Sequence, residues 1–245
     1  MTAIWTRINT LLLLLVLFTL VGLAGMFAAG VLGGPLDPPG PPSATDSVRL
    51  PGTPITGPTI ITQPGHYYLT RNITVPVAPS EEDDTSGIVI NVDNVTLDLG
   101  GFTIFGDATS NQRGIQVNSP SGVVISNGAI RDVRVGVNAN VLGAHISGIT
   151  VRGGEVGIVL GEDAVLEDCT VTGVSRDGVN IAGSRATVRR CVIASSGRRG
   201  VTVALDAHGV LIEDSVIKAN NTSVIGGAGI ALFANQATIR AIRIS

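Results

Sequence analysis

Residues 136–181 read GVNANVLGAHISGITVRGGEVGIVLGEDAVLEDCTVTGVSRDGVNI and contain one short unit three times. The copies begin at Gly136, Gly157 and Gly178, at a spacing of 21 residues (157 − 136 and 178 − 157). In each copy the first and third residues after the glycine are apolar or alanine. This alternation indicates a β-strand with one buried face.

The same unit extends to both sides of this stretch, with further copies at Gly87, Gly114, Gly200 and Gly229. Each glycine segment is followed by a second apolar segment, and these second segments align in two columns. The columns are Leu99, Ile125, Ile146, Leu166, Val188, Ile212 and Ile239, and, five positions further on, Ile104, Ile130, Val151, Val171, Ile193, Ile217 and Ile244. Neither column contains a polar residue, so the second segment is also expected to bury one face.

A short repeat without helical spacing can bury its apolar side only against the copies above and below it. The sequence therefore predicts an all-β fold, a parallel β-solenoid of about seven coils. These segments resemble the right-handed parallel β-helix proteins of the pectate-lyase-like superfamily over residues 60–245. The resemblance implies a single-stranded, right-handed β-helix, and it identifies architecture better than function.

The N-terminus has a different composition. Residues 11–32 carry no charged side chain, and as a helix they would span about 33 Å, enough to cross a bilayer. Residues 1–32 are therefore predicted to be an uncleaved signal-anchor helix or a cleaved signal peptide. The proline-rich residues 33–58 are expected to form an extended linker, and residues 59–245 the β-helix. Either outcome predicts an extracytoplasmic β-helix, membrane-anchored or secreted.

Charged residues of the second segments alternate in sign from copy to copy. They are Glu167, Arg189, Glu213 and Arg240 at one position, and Asp168, Arg190 and Asp214 at the next. In a parallel stack each carboxylate would lie ~4.8 Å from an arginine, which favours pairing. The resembled lyases bind calcium through acidic side chains of neighbouring coils, but here an arginine separates these side chains. We therefore predict no metal site, no cofactor and no catalytic residue, and calcium is expected only if the protein is a lyase.

The two cysteines, Cys169 and Cys191, fall at the same offset in neighbouring copies. They are expected to stack as small buried residues of the core. A disulfide between coils stays open as an alternative, because neighbouring strands lie ~4.8 Å apart.

A candidate binding site is indicated by the turn that precedes the repeat glycine. This turn is longest at residues 105–113 and 218–228, so two insertions should frame a saddle on one side of the stack. The residues predicted for the floor of the saddle are Arg134, Glu155, Arg176, Asp177, Arg198 and Arg199. An extended ligand would lie there. The alternative is that these charges only pair locally, Glu155 with Arg176 and Asp177 with Arg199.

Two functions are consistent with these features. The first is an exported or membrane-anchored scaffold without catalytic activity that binds an extended cell-envelope or extracellular polymer, such as a polysaccharide. The second is a polysaccharide lyase or glycoside hydrolase, which the resemblance implies. Aromatic residues, on which sugars commonly stack, are scarce. Nucleic acid is not expected as a partner, because residues 60–245 carry 14 basic and 17 acidic residues, a net charge of 14 − 17 = −3.

The last coil is expected to leave Leu232, Ile242 and Ile244 at an uncapped end of the stack. Uncovered solenoid ends tend to associate. The sequence therefore predicts end-to-end self-association through this coil, or a natural chain that continues beyond Ser245. An uncleaved N-terminal helix would add the membrane as a partner.

Overall fold

The computed structural model describes residues 52–77, 84–107, 111–118, 121–220, 228–233 and 236–244. They all belong to one compact unit, Leu50–Ser245. The predicted N-terminal helix and most of the predicted linker lie outside the described residues. Within the described ranges the regular elements are strands, and no helix there is long and apolar enough to cross a membrane.

The strands are short and follow one another throughout the chain. In chain order they are β1 (Thr53–Ile55), β2 (Thr59–Ile61), β3 (Gly65–Leu69), β4 (Ile73–Thr74), β5 (Thr85–Ile90), β6 (Val95–Asp98), β7 (Thr103–Phe105), β8 (Gln112–Val117), β9 (Val124–Arg131), β10 (Val135–Ala139), β11 (His145–Arg152), β12 (Val156–Leu160), β13 (Val165–Glu167), β14 (Thr170–Thr172), β15 (Asp177–Ile181), β16 (Thr187–Arg189), β17 (Val192–Ala194), β18 (Arg199–Val203), β19 (Val210–Glu213), β20 (Val216–Lys218), β21 (Ala228–Leu232), β22 (Ala237–Arg240) and β23 (Arg243–Ile244).

Parallel pairing joins these strands into two sheets. The eight-stranded sheet, here called the glycine sheet, has the order β2-β5-β8-β10-β12-β15-β18-β21. Its last seven strands are the seven glycine segments. The fifteen-stranded sheet contains two ladders, which share the long strands β9 and β11. The first ladder runs β1-β3-β6-β9-β11-β13-β16-β19-β22, and the second runs β4-β7-β9-β11-β14-β17-β20-β23. The predicted all-β parallel solenoid is thus confirmed.

Paired strands start earlier than the predicted domain boundary at Thr59. Strand β1 pairs with β3, and the backbone N–H of Thr70 donates to the carbonyl oxygen of Ile55 at 3.1 Å. Ile55 is buried in the core. The last residues of the predicted linker therefore belong to the first coil. They join it because Ile55 packs in the core.

Three corners separate the three faces of a coil, and residues with positive φ mark them. The first corner follows the glycine sheet, the second joins the two ladders, and the third leads back to the glycine sheet. Non-glycine examples are Asn94, Asp163 and Arg185 at the first corner, Asn127, Asp168, Arg190, Asp214 and Ala241 at the second, and Asp132, Ser195 and Ala219 at the third. This conformation disfavours most side chains, so glycine takes the same positions in other coils, as at Gly143, Gly148 and Gly173.

The repeat glycines serve a different purpose, because they are not among the residues with positive φ. A Cβ atom on Gly178 would lie 2.6 Å from the carbonyl oxygen of Gly200 and 2.6 Å from Cγ2 of Ile193. On Gly136 it would lie 2.5 Å from the carbonyl oxygen of Gly157. The backbone of the next coil occupies the space that a side chain would need. The repeat glycine is therefore required by close packing between coils.

Strand register confirms both apolar columns of the second segments except for the first member of the first column. Strand register aligns Ile125 with Leu97, so the predicted first member, Leu99, was wrong. The second corner of this coil contains two consecutive residues with positive φ, Gly100 and Gly101, and is longer than the corner of the next coil. This insertion shifts the register by two positions. Leu99 is nevertheless fully buried.

The alternating charges form ion pairs across neighbouring coils, as predicted, except at Asp214, which makes no ion pair with Arg190. Arg189 Nε donates to Glu167 Oε2 at 2.8 Å, and Arg190 Nε donates to Asp168 Oδ1 at 2.8 Å. One partner was missed by the sequence analysis: His145 Nε2 lies 2.7 Å from Glu167 Oε1. Hydrogen bonds with His145, Arg189 and Arg190 hold the pKa of the Glu167 carboxyl below its ordinary value, although partial burial opposes the shift.

The core contains both cysteines as free, buried thiols. The backbone N–H of Val192 donates to the carbonyl oxygen of Cys169 at 2.9 Å, which places Cys169 and Cys191 at the same level of neighbouring strands. The predicted stacking is therefore confirmed. In the last coil, Leu232 and Ile244 are exposed as expected, whereas Ile242 packs against the core. End-to-end association stays a prediction.

We expect Gly178→Ala to destabilise the fold by about 3 kcal/mol or more, because the added methyl group meets the backbone of the next coil. Gly173→Ala is the matched control. Its φ is +67° and nothing lies within 4 Å of the added Cβ, so it should cost only about 1 kcal/mol. Chemical denaturation of both variants measures the difference, and equal losses would refute the close-packing role of the repeat glycine.

We expect acid to weaken the fold partly through Glu167. Its pKa is lowered in the folded state, so its stabilising contribution is present above the ordinary value of 4.5 and is lost as the pH falls through the lower folded value. Glu167→Gln should therefore reduce stability at pH 7 by roughly 1 to 2 kcal/mol and flatten the acid dependence. Urea unfolding at pH 7 and at lower pH tests this. Asp206→Asn, an exposed site without an ion pair, should leave both quantities unchanged.

Candidate functional site

The six residues predicted for the floor of the saddle lie at the third corner in successive coils. Arg134, Glu155, Arg176 and Arg198 end the turn before a strand of the glycine sheet, and Asp177 and Arg199 are the first residues of β15 and β18. The structure therefore brings them into two stacked columns. The two loops expected to frame the saddle lie partly outside the described residues.

Some of these charges are neutralised locally. Arg176 Nη1 lies 3.8 Å from Glu155 Oε2, the pair that the sequence analysis proposed. Both side chains are largely exposed, so the pair contributes little stability. Arg134 contacts a carboxylate that was not predicted: its Nη2 lies 3.3 Å from Asp84 Oδ1.

Asp177 and Arg199 are neighbours in strand register but do not form the expected ion pair. The Arg199 guanidinium carbon lies 5.0 Å from the centre of the Phe233 ring, a cation–π contact. Asp177 is 6% exposed, and its Oδ1 atom has no hydrogen-bond partner. A buried carboxylate oxygen without a partner is costly and therefore unusual in a purely structural role.

The cations without a carboxylate partner are concentrated around one corner. Among the described residues, the arginine and lysine side chains that make no ion pair are Arg71, Arg131, Arg152, Arg198, Arg199, Lys218 and Arg243. Five of them flank the third corner, and we call these five the cationic edge: Arg131, Arg152, Arg198, Arg199 and Lys218. At the first and second corners, by contrast, Arg185 and Arg190 are each paired with carboxylates.

Arg131 and Arg152 end the long strands β9 and β11 and face each other in strand register. Both are exposed, and Phe105 is the register partner of Arg131 on the other side. Like charges in register repel each other, so this arrangement is not explained by fold stability. It favours an anionic ligand that extends along the stack, because each coil presents its side chains at a rise of ~4.8 Å.

Acidic side chains only partly offset this charge. Asp132 lies at the third corner beside Arg131, but its carboxylate packs over Gly153, where an added Cβ would lie 2.5 Å from Oδ1. The described basic side chains of the third corner are Arg113, Arg131, Arg134, Arg152, Arg176, Arg198, Arg199 and Lys218, and the acidic ones are Asp84, Asp107, Asp132, Glu155 and Asp177, so the net charge is 8 − 5 = +3. In the part of the chain that the structure describes, no group of three or more His, Cys, Asp or Glu side chains could hold a metal ion.

The sequence analysis missed Arg131, Arg152 and Lys218. Arg131 and Arg152 stand at one offset in consecutive copies, so the column comparison that revealed the ion-pair ladders would also have revealed them. They were missed because the saddle was derived from loop lengths alone. The strand register adds the fact that both arginines end their strands beside the third corner.

Comparisons with known proteins bear on the fold. The family model described as right handed beta helix region matches residues 137–245. No curated protein matches the chain. The chain is similar to a solved structure, the A-module of the mannuronan C-5 epimerase AlgE4 of Azotobacter vinelandii, with 13% identity and a TM-score of 0.41 over 73% of this chain and 68% of that one. The resemblance stated from the sequence is confirmed at the level of the fold: residues 137–245 are a right-handed parallel β-helix.

Proposed function

We propose that this protein is a non-catalytic, extracytoplasmic β-helix that binds an extended anionic polymer, such as an acidic polysaccharide, along its cationic edge. The observation that carries the proposal is the concentration of unpaired cations at the third corner. At the first and second corners most of the described arginines are paired with carboxylates, as Arg185 with Asp163 and Arg190 with Asp168, although Arg71 and Arg243 are not. A row of exposed charges that repel one another is retained more readily where a ligand neutralises it.

The geometry of the edge suits a polymer better than a small ligand. Arg131 and Arg152 lie in adjacent coils, and Arg198 and Lys218 lie further along the stack. Exposed ion pairs are individually weak, so useful affinity requires several of them in one ligand. A chain with regularly repeated acidic groups meets this requirement. Phe105, beside Arg131, adds an aromatic surface at one end.

The proposed location rests on the N-terminal sequence. A signal peptide or signal-anchor helix would deliver the β-helix outside the cytoplasm, where such polymers occur. An anchor followed by the proline-rich segment would hold the binding surface away from the membrane.

We expect the double variant Arg131→Gln/Arg152→Gln to bind an acidic polysaccharide about ten-fold more weakly than the unchanged protein, since it loses two exposed charge contacts. Fluorescence anisotropy with labelled polygalacturonate and alginate oligomers, at several salt concentrations, measures the affinity and its salt dependence. Arg71→Gln/Arg243→Gln is the matched control, because both arginines are exposed and unpaired but lie away from the third corner. If the control weakens binding as much as the double variant, or if neutral and acidic polysaccharides bind alike, the proposal fails.

A polysaccharide lyase or hydrolase is the second candidate, and one observation favours it. Asp177 is a buried carboxylate with an unpartnered oxygen, and Arg198 and Arg199 follow one coil later. Such a group can serve as a general base if a substrate reaches it. Incubation with polyuronates, with and without calcium, followed by absorbance of unsaturated products and by release of reducing ends, tests both chemistries. Activity that disappears in Asp177→Asn would support the enzyme, and no product on any substrate would exclude it for those substrates.

A further inference from the structure

Asp84 bridges two arginines that belong to successive coils. Its Oδ2 atom lies 2.6 Å from Arg113 Nη2, and its Oδ1 atom lies 3.3 Å from Arg134 Nη2. Arg113 lies on β8 and Arg134 directly precedes β10. One carboxylate thus spans the rise between two coils, so the two guanidinium groups are spaced to hold a single carboxylate.

The two arginine side chains are more buried than the Asp84 side chain that lies between them. The exposed fraction of the Asp84 side chain is 42%, against 21% for Arg113 and 32% for Arg134. The Nε atom of Arg134 is buried and has no hydrogen-bond partner, so Asp84 does not satisfy all the donors of this guanidinium. The contact between Arg134 and Asp84 is also longer than a strong charge-assisted hydrogen bond.

Backbone pairing places Asp84 beside these arginines. Asp84 directly precedes β5, whose first residue, Thr85, donates its N–H to the carbonyl oxygen of Asn111 at 3.2 Å. The fully buried Gln112 donates its side-chain amide to the carbonyl oxygen of Pro76 at 3.2 Å, which ties β8 to the preceding coil. The carboxylate is therefore available to the two arginines whenever no other anion is present.

We infer that Arg113 and Arg134 form a carboxylate-binding subsite that continues the cationic edge, and that Asp84 occupies this subsite in the free protein until an acidic residue of the polymer replaces it. This inference rests on the proposed function. A partly exposed ion pair contributes little stability, so its replacement by one group of a multivalent ligand is inexpensive. Arg134 and Arg131 belong to the same turn of the chain, which makes the subsite and the cationic edge continuous.

Substitution of Asp84 tests the inference. We expect Asp84→Asn to bind labelled polygalacturonate oligomers about five-fold to ten-fold more tightly than the unchanged protein, and with a steeper salt dependence. Asp84→Glu should restore weaker binding, because it returns the competing carboxylate. Asp206→Asn is the control for net charge, since it removes one exposed carboxylate at a distance from the subsite. Thermal unfolding of each variant checks that the fold is retained.

A second comparison locates the effect. In a protein that carries Arg113→Gln and Arg134→Gln, the gain from Asp84→Asn should disappear, whereas any gain from Asp206→Asn should persist. The inference is overturned if Asp84→Asn and Asp206→Asn give equal gains, if the gain survives without the two arginines, or if Asp84→Asn binds no polyuronate. If the unchanged protein binds through Arg131 and Arg152 while Asp84→Asn has no effect, the proposed function stands and the subsite does not. If only Asp84→Asn binds, the subsite is supported and Asp84 blocks the surface completely.

Discussion

The stack depends on the close approach between a repeat glycine and the backbone of the next coil, which six of the seven repeat glycines make, from Gly87 to Gly200. At Gly136 and Gly178 the carbonyl oxygen of the following repeat glycine fills the place of a side chain. This contact leaves no room for neighbouring strands of the glycine sheet to shift against each other. It therefore keeps the inter-coil hydrogen bonds in one register, and the apolar columns of the two ladders meet inside the stack.

Strict register has consequences for charge as well as for packing. A residue at a given offset lies against its equivalents in the two neighbouring coils, so each column acts as a unit. Where the signs alternate, as in Asp168 and Arg190, opposite charges pair across the coils. Where the signs repeat, as in Arg131 and Arg152, the column stays charged because the solenoid offers no freedom to separate the two side chains. The same geometry thus produces inert surfaces and a surface suited to a ligand.

Asp84 and Asp177 are two carboxylates of the third corner with different surroundings: Asp84 is paired with arginines, whereas one oxygen of Asp177 has no partner. Asp84 lies at its start and contacts two arginines, one of which belongs to the predicted floor of the saddle. Asp177 lies within the corner, buried and without a partner for one oxygen, while the neighbouring Arg199 stacks on Phe233. Neither arrangement follows from spacing, because both depend on the side-chain directions that the corner imposes.

The sequence alone determined the architecture, because a repeat with an apolar column at each fixed offset can be buried in only one way. It also determined the ion pairs of Glu167 and Asp168, since residues at one offset must meet in a parallel stack. It misplaced Leu99, because the extra glycine corner residues of that coil change the register locally. Only the tertiary structure decided which charges stay unpaired: Asp84 turns toward Arg113 and Arg134, and Arg199 turns toward Phe233, through side-chain conformations that the offsets of a repeat do not encode.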